Sequence, residues 1–231
     1  MSEKHVAIVL AGGRGSRMHT DVPKQYIEVN GKMLICYTLD CFQNSFIDEI
    51  VVVTGQGDEA FFQKNIVEKY EYTKVTQIVS GGRERYHSVF NGLCAANRAD
   101  YVYIHDGARC CVDETLLLRG RDCVKEHGAA VAAMPVKDTI KMVSKEGVVT
   151  ATPDRNMLWQ IQTPQIFRFA DIKAAYDRMM MDEVQETITD DAMVMERFGK
   201  YAIHVYEGSY ENMKVTTPED LEFVKNILKF R

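Results

Sequence analysis

AIVLAGGRGSRMHTDVPKQY, residues 7–26, sets an apolar run directly before a cluster of glycines and cations. The run from Ala7 to Ala11 has the composition of a buried strand, without charge and rich in aliphatic side chains. It empties into Gly12, Gly13 and Gly15, with Arg14, Arg17 and Lys24 close behind. Glycines lack Cβ, so consecutive backbone N–H groups can turn toward an anion and phosphate oxygens can come close. A guanidinium then forks onto two oxygens, while an ammonium acts as a point charge. The same residues also suit a plain tight connection from strand to helix, and the loop alone does not choose. Two well-known phosphate loops are excluded. No Gly-Lys-Ser/Thr closes a P-loop, and the dinucleotide fingerprint needs glycine where Met18 stands.

Outward from this stretch, Asn30-Gly31 marks a tight turn, and Leu34, Ile35, Thr38, Leu39 and Phe42 recur at helical spacing. A strand over 49–54, a helix from Gly57-Asp58 to about Tyr70, a strand over 74–79 and a helix opening in SGGRERYHS follow. The alternation continues with a strand over 101–105, a helix over 113–127 and a strand over 129–136. Strands alternating with helices of this length predict an α/β fold, Rossmann-like and doubly wound, with a mostly parallel sheet. Residues 138–155 break the pattern with two short β-branched runs around Lys145-Glu146-Gly147, a β-hairpin inserted into the sheet. An isolated two-stranded ribbon is marginal in water, so this arm needs a packing partner, and a second copy of the chain is the simplest one. Helices are expected over 170–181 and 189–198. The tract Gln162-Thr163-Pro164-Gln165 reads as a turn, and Thr217-Pro218-Glu219-Asp220 as the start of a final helix.

At 231 residues and 46% apolar content, the chain is expected to form a single domain, residues 1–231, with residues 138–155 as an arm within it. No apolar run approaches the ~18 residues of a membrane span, and no charged-then-apolar leader follows Met1. The expectation is a cytoplasmic protein. Six cysteines without Cys-x-x-Cys spacing read as reduced core thiols. A net charge of -5 argues against a nucleic-acid partner but allows a local cationic pocket.

In a doubly wound sheet, ligands collect beyond the carboxyl ends of the strands. Asp106, after the apolar YVYIH, would stand there facing the glycine loop. A carboxylate among phosphates suits a hard cation such as magnesium, and an Asp capping the next turn is the plainer alternative. His105 points to the opposite face of the strand, as a structural partner. Arg109 suits either Asp106 or phosphate, and Arg85 either phosphate or an internal ion pair. Gly81, Gly82 and Ser88 offer small donors and acceptors to a nucleobase or ribose.

LAGGRGSRM followed by PKQY is similar to the signature of the sugar-phosphate nucleotidyltransferases, and PKQY points to their cytidylyltransferase branch. KDTIK, LWQIQTPQ, ITDDA and NMKVTTPEDL then occur in the order found in 2-C-methyl-D-erythritol 4-phosphate cytidylyltransferases of the non-mevalonate isoprenoid pathway. The chain resembles that family from Ala7 to about Leu221. The resemblance implies CMP transfer from CTP to the polyol phosphate, with magnesium as cofactor and a homodimer formed through the arm. It implies catalytic roles for Arg17, Lys24 and Lys214, and Asp106 as the metal ligand. Nucleotide contacts fall to Ala11, Gly12, Gly13, Arg14, Gly15, Gly81, Gly82, Ser88 and Gly107. Those to the polyol phosphate fall to Thr139, Arg155, Thr189 and Lys214. Gly12, Gly107, Cys110 and Arg83 depart from the usual family residues, and a related ribitol-phosphate cytidylyltransferase shares the Ala-Gly-Gly form. A catalytically silent nucleotide-binding regulator on the same fold is the rival from another class, less favoured because Arg17, Lys24 and Asp106 are all present.

Overall fold

The aliphatic run of the opening stretch becomes β1 (His5–Ala11), the strand around which the sheet is built. The computed structural model describes residues 3–13, 22–96, 98–182 and 187–230. In chain order come a minimal hairpin of β2 (Glu28–Val29) and β3 (Lys32–Met33), α1 (Leu34–Gln43) and β4 (Glu49–Thr54). The short α2 (Glu59–Phe62) runs into a π-helical stretch, Gln63–Glu68, followed by β5 (Val75–Ser80), α3 (Arg85–Ala95) and β6 (Tyr101–Asp106). Next are α4 (Glu114–His127), β7 (Ala129–Pro135), the arm strands β8 (Met142–Val143) and β9 (Val149–Ala151), and β10 (Trp159–Arg168). The chain continues with α5 (Phe169–Met181), α6 (Asp191–Phe198), β11 (His204–Glu207) and α7 (Pro218–Ile227).

The seven-stranded sheet has the order β11-β7-β10-β6-β1-β4-β5. All its neighbours are parallel except β10, which runs antiparallel to both β6 and β7. Side chains of β1 alternate between the two faces, as a strand's must. Ala7 and Val9 join Ile35, Leu39, Phe42, Leu116 and Val124 on the face covered by α1 and α4. Val6 and Ile8 join Val89, Leu93, Ile172, Tyr176 and Val194 under α3, α5 and α6. Both faces are covered, which explains why β1 reads as a continuous apolar run. A third cluster of Val29, Leu34, Cys110, Cys111, Val215, Val224 and Leu228 docks α7 against the turn after β6.

The expected strands, helices and arm hairpin are present, with two corrections. The Gln162-Thr163-Pro164-Gln165 tract is not a turn but the middle of β10, whose pairing with β7 shifts register between Ile161 and Gln165. A proline lacks the N–H of a ladder bond and argues against a strand, except at an irregularity of this kind. Pro164 sits inside that shift. The second correction concerns the helix expected from Thr189, which begins at Asp191 because Asp190 caps it by accepting from Met193 N at 2.9 Å.

The turn from α4 into β7 requires glycine, because Gly128 has φ +86° and its N–H closes the helix on Val124 O at 2.8 Å. Gly128 lies at the amino end of β7, and a Cβ there would meet only the Arg168 side chain at ordinary van der Waals separation. Gly128→Ala should therefore express the backbone cost alone, about 1–2 kcal/mol, lowering the melting temperature by ~2–8 °C in a circular-dichroism melt. An unchanged melt would contradict the left-handed geometry.

Candidate active site

Beyond the carboxyl ends of β1, β4, β5 and β6 opens a cleft of about 1160 Å³. The chain leaves β1 for β4 on one side and comes back with β6 on the other, which is where a doubly wound sheet opens a ligand crevice. One wall carries Gly12, Gly13, Pro23, Lys24 and Gln25, and another carries Ser80, Gly81, Gly82, Arg83, Glu84 and Ser88. Asp106, Ala108 and Lys214 form the floor toward β6. Gly12 lies so close to β4 that a Cβ would stand 2.9 Å from Thr54 O. Gln25 braces the loop by donating to Ala11 O at 2.5 Å.

Pairing of β6 with β1 sets Asp106 opposite Leu10, level with the root of the glycine loop. Its carboxylate takes Lys214 Nζ at 2.7 Å on one oxygen and Arg85 Nε at 3.3 Å on the other. Burial works against the charge, but the Arg85 guanidinium and then the Lys214 ammonium outweigh it and hold the Asp106 carboxyl well below the usual carboxylate range. Asp106 is therefore ionised at any physiological pH. Arg85 is itself anchored in the core, its guanidinium forking onto the fully buried Asp191 at 3.0 and 2.8 Å. Tyr176 donates a further bond to Asp191 at 2.6 Å. Arg85 thus holds an internal ion pair and also lines the cleft. Lys24 donates to Val215 O at 3.0 Å, so the first and last parts of the chain meet across the cleft.

Burial pushes the His105 ring down to about 4, so it is neutral. Its nitrogens lie 3.1 Å from Thr163 Oγ1 and 3.1 Å from Arg109 O, the structural partnership expected of it. Arg109 donates its Nη1–H to Asn212 O at 2.9 Å and its backbone N–H to Asp106 O at 2.9 Å, and its guanidinium adds to the positive charge around the Asp106 carboxylate.

Several expected site residues fall elsewhere. Arg14, Gly15 and Arg17 lie outside the described residues. Gly107 does not face the cleft. It is folded under the β1 end, its N–H on Leu10 O at 2.9 Å, in space where a Cβ would strike the Ile35 side chain. Ala11 is buried and contributes its carbonyl to Gln25 rather than a surface to the cleft. Thr139 and Arg155 are exposed on the arm, where Arg155 Nη1 donates to Lys137 O at 2.8 Å and so ties the arm's two legs. Neither lines the cleft of its own chain. Thr189 is exposed before α6, its hydroxyl 3.6 Å from Met193 Sδ. Sequence reasoning missed Gln25, Thr54, Gly55 and Asp58 on the wall, and the Tyr176–Asp191 support. The sole sequence trace of the latter is an unpaired acid in ITDDA beside a helix N-cap.

Residues 5–230 match the model of the 2-C-methyl-D-erythritol 4-phosphate cytidylyltransferase family. The chain belongs to that family. It is thus a cytidylyltransferase, acting with CTP and 2-C-methyl-D-erythritol 4-phosphate in isoprenoid precursor synthesis. A relative from Lachnospira eligens bearing the family's name is 45% identical over 226 residues, 97% of this chain and 99% of that one. Another from Clostridium acetobutylicum is 43% identical, covering 96% of each. The crystal structure of 4-diphosphocytidyl-2C-methyl-D-erythritol synthase from Anaerococcus prevotii superposes with a TM-score of 0.85 at 34% identity, over 98% of this chain and 96% of that one. Among the described residues, no helix of the cytidylyltransferase is long and apolar enough to cross a membrane.

Arg85 carries two buried carboxylates at once, and removing it leaves Asp191 in the core without its guanidinium partner. Arg85→Met should cost about 3–5 kcal/mol in urea unfolding, the scale for breaking a buried pair. A loss below about 1 kcal/mol would mean that the Arg85–Asp191 pair does not hold this part of the core.

Proposed function

We infer that the cleft runs the family's reaction by in-line displacement. A phosphate oxygen of 2-C-methyl-D-erythritol 4-phosphate forms a bond to the α-phosphorus of CTP, the bond from that phosphorus to the bridging oxygen breaks, and pyrophosphate leaves. A phosphate monoester is already ionised near neutral pH, so no protein nucleophile or base is required. The work is positioning and charge neutralisation. The observation that carries this reading is the meeting of Gly12, Gly13, Lys24, Asp106 and Lys214 in one cleft with Gly81, Gly82 and Ser88 facing them.

In this reading Gly12 and Gly13 offer backbone donors to the triphosphate, and Lys24 and Lys214 neutralise charge that grows on the α-phosphate and on the departing pyrophosphate. Arg17, next along the loop, adds a forked donor. Gly81, Gly82 and Ser88 bind the cytosine and ribose. Asp106 suits magnesium, which characteristically takes one or two carboxylates and completes its coordination with substrate phosphates and water. No group of three or more His, Cys, Asp or Glu side chains able to hold a metal occurs among the described residues. Bound there, magnesium supplies positive charge against the phosphate oxygens. The free thiols and a nucleotide substrate favour a cytoplasmic enzyme.

Pyrophosphate release from CTP, measured against a panel of polyol phosphates, tests the substrate. Methylerythritol phosphate should be preferred over ribitol phosphate by at least tenfold in kcat/KM, and the reverse order would reassign the enzyme within its class.

The arm enters as a dimer device. Met142, Val143 and Val149 on the ribbon are each more than half exposed, and Met157 beyond it is 79% exposed, a set of apolar side chains left largely open. A second copy of the chain would cover them and bring Thr139 and Arg155 to the neighbouring cleft, with Thr189 at its mouth. Mixing inactive Lys24→Ala chains with inactive Arg155→Ala chains should then restore activity, because some heterodimer clefts combine an intact loop with an intact arm. Absence of activity once mass measurement shows heterodimers would place arm and loop in the same chain.

A further inference from the structure

Lys214 lies on residues 208–217, a stretch between β11 and α7 that belongs to no sheet strand, yet its ammonium meets Asp106 at 2.7 Å. Something other than the sheet must hold it. His105 Nε2 faces the carbonyl of Arg109, which can only accept, so Nε2 carries the ring hydrogen. Nδ1 of the neutral ring is then the acceptor, and the Thr163 hydroxyl donates to it at 3.1 Å. The hydroxyl oxygen keeps a lone pair for the Asp106 N–H, which reaches it at 3.0 Å. The Thr163 carbonyl accepts from Asn212 Nδ2 at 2.8 Å, and the Asn212 carbonyl accepts from Arg109 Nη1 at 2.9 Å. Asn212 has one workable amide orientation, because Nδ2 faces two acceptors, Thr163 O and Gln162 Oε1 at 3.4 Å. Gln162 is fixed in turn by its pair of bonds with Ser209. A circle thus closes from His105 through Thr163, Asn212 and Arg109 back to His105, and all four are wholly or largely buried.

The geometry points to His105, Thr163, Asn212 and Arg109 as a positioning ring that sets Lys214 against Asp106 for the cytidylyl transfer. None of the four is a catalytic residue. They act through two others, holding the Asp106 backbone at one point and the chain two residues before Lys214 at another. The inference rests on the reading of Lys214 and Asp106 as the groups that manage phosphate charge. Misplacing such groups by about 1 Å costs up to a hundredfold in rate, so the ring should register in turnover rather than only in stability.

Thr163→Val keeps the shape and removes the hydroxyl, while Thr163→Ser keeps the hydroxyl. The valine variant should lose about tenfold or more in kcat with KM for CTP within about threefold, and the serine variant should stay within about threefold of the parent. Asn212→Ala should behave like the valine variant. The double variant Thr163→Val/Asn212→Ala should be little worse than the poorer single one, because both open the same circle. Gly128→Ala, at the opposite end of the sheet, supplies the control that lowers the melt without lowering kcat. Valine and alanine variants with parental kcat, or with additive losses, would overturn the ring. So would a serine variant as slow as the valine one. Should the valine and alanine variants not fold, ¹⁵N NMR of His105 in the parent enzyme decides. The Nε2–H tautomer is required, and an Nδ1–H tautomer would break the circle. Asp106→Asn and Lys214→Ala separate the two levels of the argument. If both retain turnover, the reading of the cleft fails. If both lose it while Thr163→Val does not, only the ring fails.

Discussion

A buried carboxylate at the end of a β-strand is stable only if cations reach it, and Asp106 draws its cations from far along the chain. Arg85 comes from the start of α3 and Lys214 from the loop before α7, 108 residues downstream of Asp106. Each must in turn be held. Arg85 is clamped by Asp191, which draws α6 and Tyr176 of α5 toward the same point. Lys214 is followed by Val215, whose N–H binds Ala108 O and whose side chain is buried under α7. The cleft's electrostatics therefore depend on where this one charge stands, while the helices beside it are docked by the apolar clusters under α3, α5, α6 and α7. That charge is placed by the pairing of β6 with β1, which the two aliphatic strand sequences enforce.

The electrostatic arrangement suits a polyphosphate. Among the described residues, the cleft is lined by the cations Lys24, Arg83, Arg85 and Lys214 and the acids Asp58, Glu84 and Asp106, an excess of positive groups on a chain whose net charge is -5. Local sign, rather than overall charge, decides what binds. With no side chain on Gly12, the loop runs against β4 at a separation that a Cβ would violate, and its backbone lies close to the space a phosphate would fill.

Much of this was legible in the sequence, and the reasons are specific. The strands β1, β4 and β6 and the helices between them announce themselves by apolar run and period, because both faces of a parallel sheet are buried. Thr217-Pro218 marks a helix start by chemistry that acts within a few residues. β10 was hidden because Pro164 speaks against a strand, and the register shift that accommodates it appears only when β7 and β10 are paired. The partners of Arg85 and Arg109 were equally hidden, since either guanidinium could reach several anions, and only tertiary packing brought Asp191 and the Asn212 carbonyl to them. Gly107, which the family resemblance assigns to the nucleotide, sets its N–H on Leu10 O at the end of β1, in space where a Cβ would meet Ile35.

Lys24 donates to the carbonyl of Val215, 191 residues away, and Asn30 to that of Lys225, 195 residues away. The contacts that complete the cleft thus join segments 191 and 195 residues apart, one synthesised well before the other. While the ribosome is still making the middle of the protein, the glycine loop has emerged without Lys214, and Asp106 stands in β6 without that cation. A nascent chain translated at ~5–20 residues per second spends several seconds in this incomplete state. During that time Asp106 lacks the Lys214 ammonium that the folded chain sets against it at 2.7 Å.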